Sequence, residues 1–415
     1  MTIWDFIVIG AGPAGLMAAT CASQRGLKTL LLEKRRRCGT KLLLSGGTRC
    51  NVTHDTDPRG IVEAFGRQGR FLHSALAELG PQEMIQLLRS EGVRCKVEPG
   101  GKVFPASDRA ADILDVLLRR LHATTCTLSL DEAVEKIEHV EGLFRVITTK
   151  QEHRARNVLI ATGGKSYPAS GSTGDGYAWA EQFGHTIVPP QPALTPITTH
   201  ATWVTDLRGI TLPDISARVL EPNSSGNTSK VLGEARGALL FAHFGVTGPV
   251  ALDLSRFVSR HDRPNSLILQ CDFLPDLKSE ALASQIQEKC NEAGKRLAVA
   301  TLCTWLPRGL IEAIAKLVDL PMDRRGAELT KSERQLLTHM IKHCDIPVAG
   351  VMGFRKAEVT SGGISLKEVD SRTVQSKLVR GLYFAGEVLD LDGPIGGYNF
   401  QAAFSTGMLV GNRVE

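Results

Sequence analysis

Gly10, Gly12 and Gly15 follow the apolar run Phe6-Ile-Val-Ile9, and Glu33 closes a second apolar run, Leu30-Leu-Leu32. A strand, a G-x-G-x-x-G turn, a small-residue helix (Leu16-Met-Ala-Ala-Thr-Cys-Ala22), a second strand and an acid have the chemistry of a dinucleotide-binding unit. Gly10 permits the tight turn, Gly12 lets a pyrophosphate approach the backbone, and Gly15 lets the helix lie close to the sheet. The helix start offers unpaired N–H groups and a positive dipole end to the phosphates. Glu33 stands where a carboxylate accepts ribose hydroxyls. The chain holds 41 glycines, so the spacing alone means little; the flanking strand, helix and acid give it weight. The fingerprint does not choose between FAD and NAD.

Two further segments repeat the strand-then-glycine arrangement. Val158-Leu-Ile-Ala-Thr162-Gly163-Gly164 precedes Gly171-Ser-Thr-Gly174-Asp175-Gly176, where backbone can lie against a flat ring or a phosphate. Asp175 reads equally as a helix cap or a ligand contact. Leu382-Tyr-Phe-Ala-Gly386-Glu387 precedes Gly396-Gly397-Tyr398-Asn399 and a last small-residue helix. A carboxylate at a strand end suits a sugar or ribityl hydroxyl, and N–H groups at a helix start suit a carbonyl that gains negative charge on reduction.

Among side chains with reactive chemistry, Cys50 follows Arg49, whose charge would favour a thiolate. A small buried cysteine is the plainer reading. His243 is a candidate acid or base, with a packed histidine as the plainer reading. Lys41 suits a phosphate or a reduced ring's charge. The nine cysteines show no C-x-x-C and no metal-ligand spacing, so neither a dithiol relay nor a metal site is expected. Their odd number and the lack of a secretory leader point to a reducing cytoplasm. A net charge of +5, from 49 basic and 44 acidic residues, is too slight to predict a nucleic-acid partner. Arg35-Arg36-Arg37 reads as a solvated loop or a phosphate grip. No apolar run reaches the length of a membrane span.

The elements that must position these residues divide the chain. Residues 1–35 read as a βαβ unit, 38–54 as a Gly-rich polar stretch, and 72–91 and 108–122 as amphipathic helices; 126–150 alternates like a small sheet. Four prolines in 189–196 mark a boundary. Short strand-like segments continue to about 275, with turns expected at 221–227 and 245–249. Helical periodicity covers 277–343, and strands and glycines return from 355. This predicts a split α/β cofactor domain interrupted by an insertion.

Three long motifs carry a resemblance. They are Lys41-Leu-Leu-Leu-Ser-Gly-Gly-Thr-Arg-Cys-Asn-Val-Thr53, Leu239-Leu-Phe-Ala-His-Phe-Gly-Val-Thr-Gly-Pro249, and Gly381-Leu-Tyr-Phe-Ala-Gly-Glu387 with Gly396-Gly-Tyr-Asn-Phe-Gln401. With them the chain resembles, essentially end to end, the bacterial FAD oxidoreductases that include aminoacetone oxidases and bile-acid 3-oxo-Δ4 reductases (the BaiN/YhiN-like proteins). The resemblance implies FAD in a glutathione-reductase-like Rossmann domain over 1–192 and 346–415. It also implies an inserted β-barrel over 193–275 and 339–345, and a helical subdomain over 276–338. It places the cofactor against Gly10, Gly12, Pro13, Ala14, Gly15, Glu33 and Lys34, then Lys41, Ser45, Gly46, Arg49, Cys50 and Asn51. Further contacts are Thr162, Gly163, Gly164, Gly174 and Asp175, then Gly386, Glu387, Gly397, Tyr398 and Asn399. Lys41, Arg49, Cys50 and His243 are the catalytic candidates. Two positions depart from the family pattern: Thr48 stands for a glycine, and Ala242 for a threonine.

The expected function is hydride transfer through FAD on a small organic substrate, in the cleft between cofactor domain and insertion. NADH, NADPH or oxygen would be the second redox partner. Alternatives are a tRNA-modifying flavoenzyme and a flavin-binding redox sensor without turnover. The sequence leaves oligomeric state open.

Overall fold

The computed structural model describes residues 2–223 and 229–415, so most of the turn expected at 221–227 lies outside the described residues. The chain forms two compact units: Met1–Pro192 with Phe354–Glu415, and Ala193–Gly353.

The first unit is built on a seven-stranded sheet. Ile3–Ile9 lies inside it, parallel to Thr29–Leu32 on one side and to Glu152–Ile160 on the other. Thr127–Ser129 extends the parallel part beyond Thr29–Leu32. Glu152–Ile160 takes two neighbours on its far side. Its first half pairs antiparallel with Leu143–Thr148, and its last residues pair parallel with Leu382–Phe384. The stretch 126–150 therefore belongs to this sheet and forms no sheet of its own. Strand order runs outward in both directions from Ile3–Ile9. Its carboxyl end is thus a topological switch point, the place where open α/β sheets bind ligands.

Phe6, Ile7 and Val8 are fully buried, as are Val158, Leu159 and Ile160 beside them. Near-continuous apolar runs suit strands covered on both faces. The first helix (Pro13–Gln24) and the last (Tyr398–Arg413) cross at very close range. A Cβ on Gly407 would stand 2.2 Å from the Ala14 carbonyl oxygen, and one on Gly411 would stand 2.6 Å from that of Ala18. The small residues of both helices are what permit this approach.

The second unit carries an antiparallel sheet. Its strand order is Cys344–Pro347, Ile268–Asp272, Thr211–Glu221, Lys230–Ala242, Gly245–Thr247, Ile197–Thr198, Gly350–Val351. Among the described residues no pairing joins the two outer strands, so this is an open sheet and corrects the expected barrel. Helices between Ser279 and Lys342 share one apolar core with the sheet: Leu282, Ile286, Leu310 and Ile314 cluster with Ile215, Val219 and Leu269. This unit runs to Gly353. Residues 346–353, expected in the cofactor domain, pair instead with Ile268–Asp272 and Ile197–Thr198. The proline-rich stretch is itself a strand, Ile187–Ala193, paired with Val359–Ile364.

Candidate cofactor site

At the carboxyl end of Ile3–Ile9 the chain turns through Gly10, at φ +104°, and enters the first helix with Gly12 as N-cap. A Cβ on Gly10 would lie 2.6 Å from the Ala161 carbonyl oxygen, and one on Gly15 1.9 Å from that of Gly10. These two glycines are needed by the fold. Gly12 differs: a Cβ there would meet nothing within 4 Å, and no side chain caps the helix start. Pro13 fills the first helical position, where a missing N–H costs nothing. Glu33 anchors the turn from the next strand. Its carboxylate accepts the Ala11 N–H at 2.9 Å and the Arg35 N–H at 2.9 Å.

A second cluster joins residues far apart in sequence. The Lys41 ammonium donates to the Glu387 carboxylate and, at 2.6 Å, to the Ser166 hydroxyl. Glu387 also accepts the Ser166 hydroxyl at 2.6 Å and the Thr360 N–H at 2.8 Å. The Thr360 hydroxyl in turn accepts the N–H groups of Lys165 and Ser166 at 2.8 and 2.9 Å. Gly164 fits beneath: a Cβ there would meet the Thr360 hydroxyl at 2.3 Å. Lys41, Gly164 and Glu387 are thus one assembly. Ser166 and Thr360 complete it, and no local motif had marked either of them.

The Gly-rich stretch is partly helical, over Thr40–Thr48, but breaks at Ser45–Gly47. Gly46 (φ +55°) and Gly47 (φ +67°) take left-handed backbone, and so do Thr48 (φ +70°) and Cys50 (φ +61°). Arg49 is turned to the hairpin of Cys95–Glu98 and Lys102–Pro105. It bonds Glu98 at 2.7 Å, reaches Asp108 at 3.4 Å, and lies 4.1 Å above the Phe104 ring. Its charge is therefore spent on two carboxylates. The Cys50 thiol is fully buried, and that burial pushes its pKa up to about 12; a bond with Ser45 offsets only part of this. Arg49 is thus engaged away from Cys50, and burial favours the neutral thiol there.

Other expected contacts are engaged within the protein. Lys34 donates to Asp175 and to Thr173, both at 2.6 Å, so Asp175 neither caps its helix nor stands alone. The Asn399 side chain accepts the Gly393 N–H at 2.8 Å and donates to the Gly393 carbonyl at 3.0 Å, which shapes the turn before the last helix. Gly397, at φ +93°, is the N-cap of that helix, again with no side-chain cap. Gly386, at φ +75°, packs on Ala14. His243 belongs to the second unit, exposed on the two-residue turn between Ala242 and Gly245, and not packed as expected.

These residues fit a dinucleotide on their own chemistry. Gly12 leaves open space at an uncapped helix start. The Asn51 and Thr162 side-chain oxygens and the Tyr177 hydroxyl are buried with no hydrogen-bond partner. Burial, reinforced by the charges of Glu387 and Asp390, raises the Tyr177 phenol and keeps it a neutral donor. Among the described residues no group of three or more metal-ligating side chains comes together, and no helix is long and apolar enough to cross a membrane.

The sequence profile of the family described as "HI0933-like protein Rossmann domain" matches residues 4–413. The chain belongs to this family. Like its family it is an FAD-dependent oxidoreductase with a Rossmann-type FAD-binding fold. It is 32% identical over 409 residues to an Escherichia coli K12 protein named ribosomal RNA dihydrouridine synthase, covering 98% of this chain and 96% of that one. It is 29% identical over 411 residues to a Clostridium scindens 3-dehydro-bile acid delta(4,6)-reductase, covering 97% of each. Among solved structures, a 3-ketosteroid-delta4-(5alpha)-dehydrogenase from Rhodococcus jostii RHA1 aligns over 99% of this chain and 96% of that one. The identity is 14% and the TM-score 0.48.

Proposed function

We propose that this family member is a reductase that saturates a carbon–carbon double bond conjugated to a carbonyl, drawing its electrons from NADH or NADPH. The reading is carried by the end-to-end match to two relatives whose names both describe saturation of ring double bonds, one in uridine and one in a bile acid. In uracil and in a 3-oxo-Δ4 steroid alike, the double bond is conjugated to a carbonyl. Bound FAD supplies the hydride chemistry. The chain's own residues hold and polarise it. The first helix start and Gly12 would face the pyrophosphate. Glu33, already fixed by two backbone N–H groups, keeps lone pairs for ribose hydroxyls. Lys41 and Glu387 form a pair with no net charge, so they act by orientation and hydrogen bonding. The last helix start presents the positive end of its dipole.

The substrate is a small enone, with a uracil ring in RNA as the second reading. The relative named for ribosomal RNA favours the second. A net charge of +5 gives it little electrostatic help. The deciding experiment is an anaerobic absorbance titration of the flavin-loaded protein. NADH or NADPH is expected to bleach the flavin band, and a 4-en-3-one steroid to restore it. Restoration by a ribosomal RNA fragment instead, with a two-dalton gain on a uridine, would assign the RNA substrate. A band unmoved by either nicotinamide contradicts the reductase reading.

A further inference from the structure

His54 ends the short strand Thr53–His54, which pairs with Val103 and Lys102. None of the sequence motifs gave it a role. In the structure it joins the two segments expected at the flavin. Its Nδ1 lies 3.1 Å from the Gly396 carbonyl oxygen. Its ring stacks on Tyr398 with centroids 4.5 Å apart and planes 20° from parallel. Gly101 closes the other side, since a Cβ there would come 2.4 Å from Nε2. Gly397 is pressed on the same strand, its Cβ position 2.3 Å from the Thr53 carbonyl oxygen.

We infer that His54 is a positioning residue that aims the Gly397 N–H, the N-cap amide of the last helix, at the flavin. The inference rests on the cofactor site described above. A carbonyl only accepts, so Nδ1 must carry the proton in this bond. In a trans peptide the carbonyl of one residue and the N–H of the next point in opposite directions. Holding the Gly396 carbonyl toward His54 therefore turns the Gly397 N–H away from it. Gly396 (φ +133°) and Gly397 (φ +93°) lack the Cβ that would otherwise restrict this peptide plane. The histidine bond and the Tyr398 stack supply the restraint that two adjacent glycines cannot.

The test compares two substitutions in FAD-loaded protein. In His54→Asn the amide nitrogen takes the place of Nδ1 and can still donate. In His54→Phe the ring still stacks on Tyr398 and cannot donate. Both proteins are brought to dye equilibrium, and flavin spectrum and reduction potential are read. His54→Asn is expected to match wild type within about twofold in its reduced-to-oxidised ratio. His54→Phe is expected to keep FAD, shift the flavin band and lose about tenfold in that ratio, about 30 mV for two electrons. A wild-type potential in His54→Phe overturns the inference, and so does an equal loss in both variants. Failure of wild-type protein to bind FAD overturns the cofactor site itself, a result visible before any variant is made.

Discussion

Thr48 is a non-glycine residue held in left-handed backbone, at φ +70°. A β-branched side chain in left-handed backbone is a steric outlier, at a cost of about 1–2 kcal/mol. Glycine would remove that cost and give back part of it through its looser unfolded chain. Thr48→Gly is expected to raise the melting temperature of the first unit by about 2 °C, read by calorimetry; an unchanged or lower midpoint would show that the loop is not strained. Cys50 shares the left-handed backbone but has another consequence. Its thiol is neutral and buried, so Cys50→Ser should keep FAD and most of the turnover. Full flavin content with turnover abolished would restore Cys50 as a catalytic group.

At the scale of elements, two contacts bear on the stability of the cofactor unit. The first is the crossing of the first and last helices. Gly407→Val would drive two methyl groups toward the Ala14 carbonyl, and overpacking of this kind costs about 1–3 kcal/mol. The start of the first helix would shift with it, so lower stability and weaker FAD retention are expected together. An FAD affinity equal to wild type would separate the crossing from the site.

The second contact is the buried carboxylate of Glu132, beside the strand Thr127–Ser129. Burial works to raise its pKa. Hydrogen bonds from Ser129, from Thr148 at 2.7 Å and from His153 at 2.8 Å outweigh burial and leave it below the ordinary value. A depressed carboxyl contributes stability above its unfolded pKa and loses it as pH falls through the folded one. Glu132→Gln should therefore melt below wild type at neutral pH. The gap should narrow as the medium is acidified past the ordinary carboxylate range. A gap constant with pH would mean that the charge of Glu132 contributes nothing.

Across the whole molecule, what could be read from the sequence is what depends on local chemistry. The Gly10–Gly15 turn, the acid at Glu33 and the start of the last helix at Gly397 are each specified by neighbours a few residues away. The interruption of the cofactor unit showed as a proline cluster and a change of periodicity. What stayed hidden depends on contacts across the chain. Ser166 and Thr360 join Lys41 and Glu387 only after the strand Val359–Ile364 has returned to the first unit. Arg49 next to Cys50 suggested a thiolate, yet the fold sends that guanidinium to Glu98. Short strand-like segments in the second unit suit an open sheet as well as a closed one, because closure is a property of the outer strands alone.

The central claim is that the turn at Gly12 holds the FAD pyrophosphate, and flavin content after substitution tests it most directly. A Cβ at Gly12 meets nothing within 4 Å, so the fold itself tolerates a side chain there. Gly12→Asp would place a carboxylate against the phosphates. Wild-type and variant proteins are incubated with FAD, desalted, and compared by absorbance, with circular dichroism confirming the fold of each. The account predicts flavin in wild type and none in a folded Gly12→Asp. Equal flavin in both would contradict it.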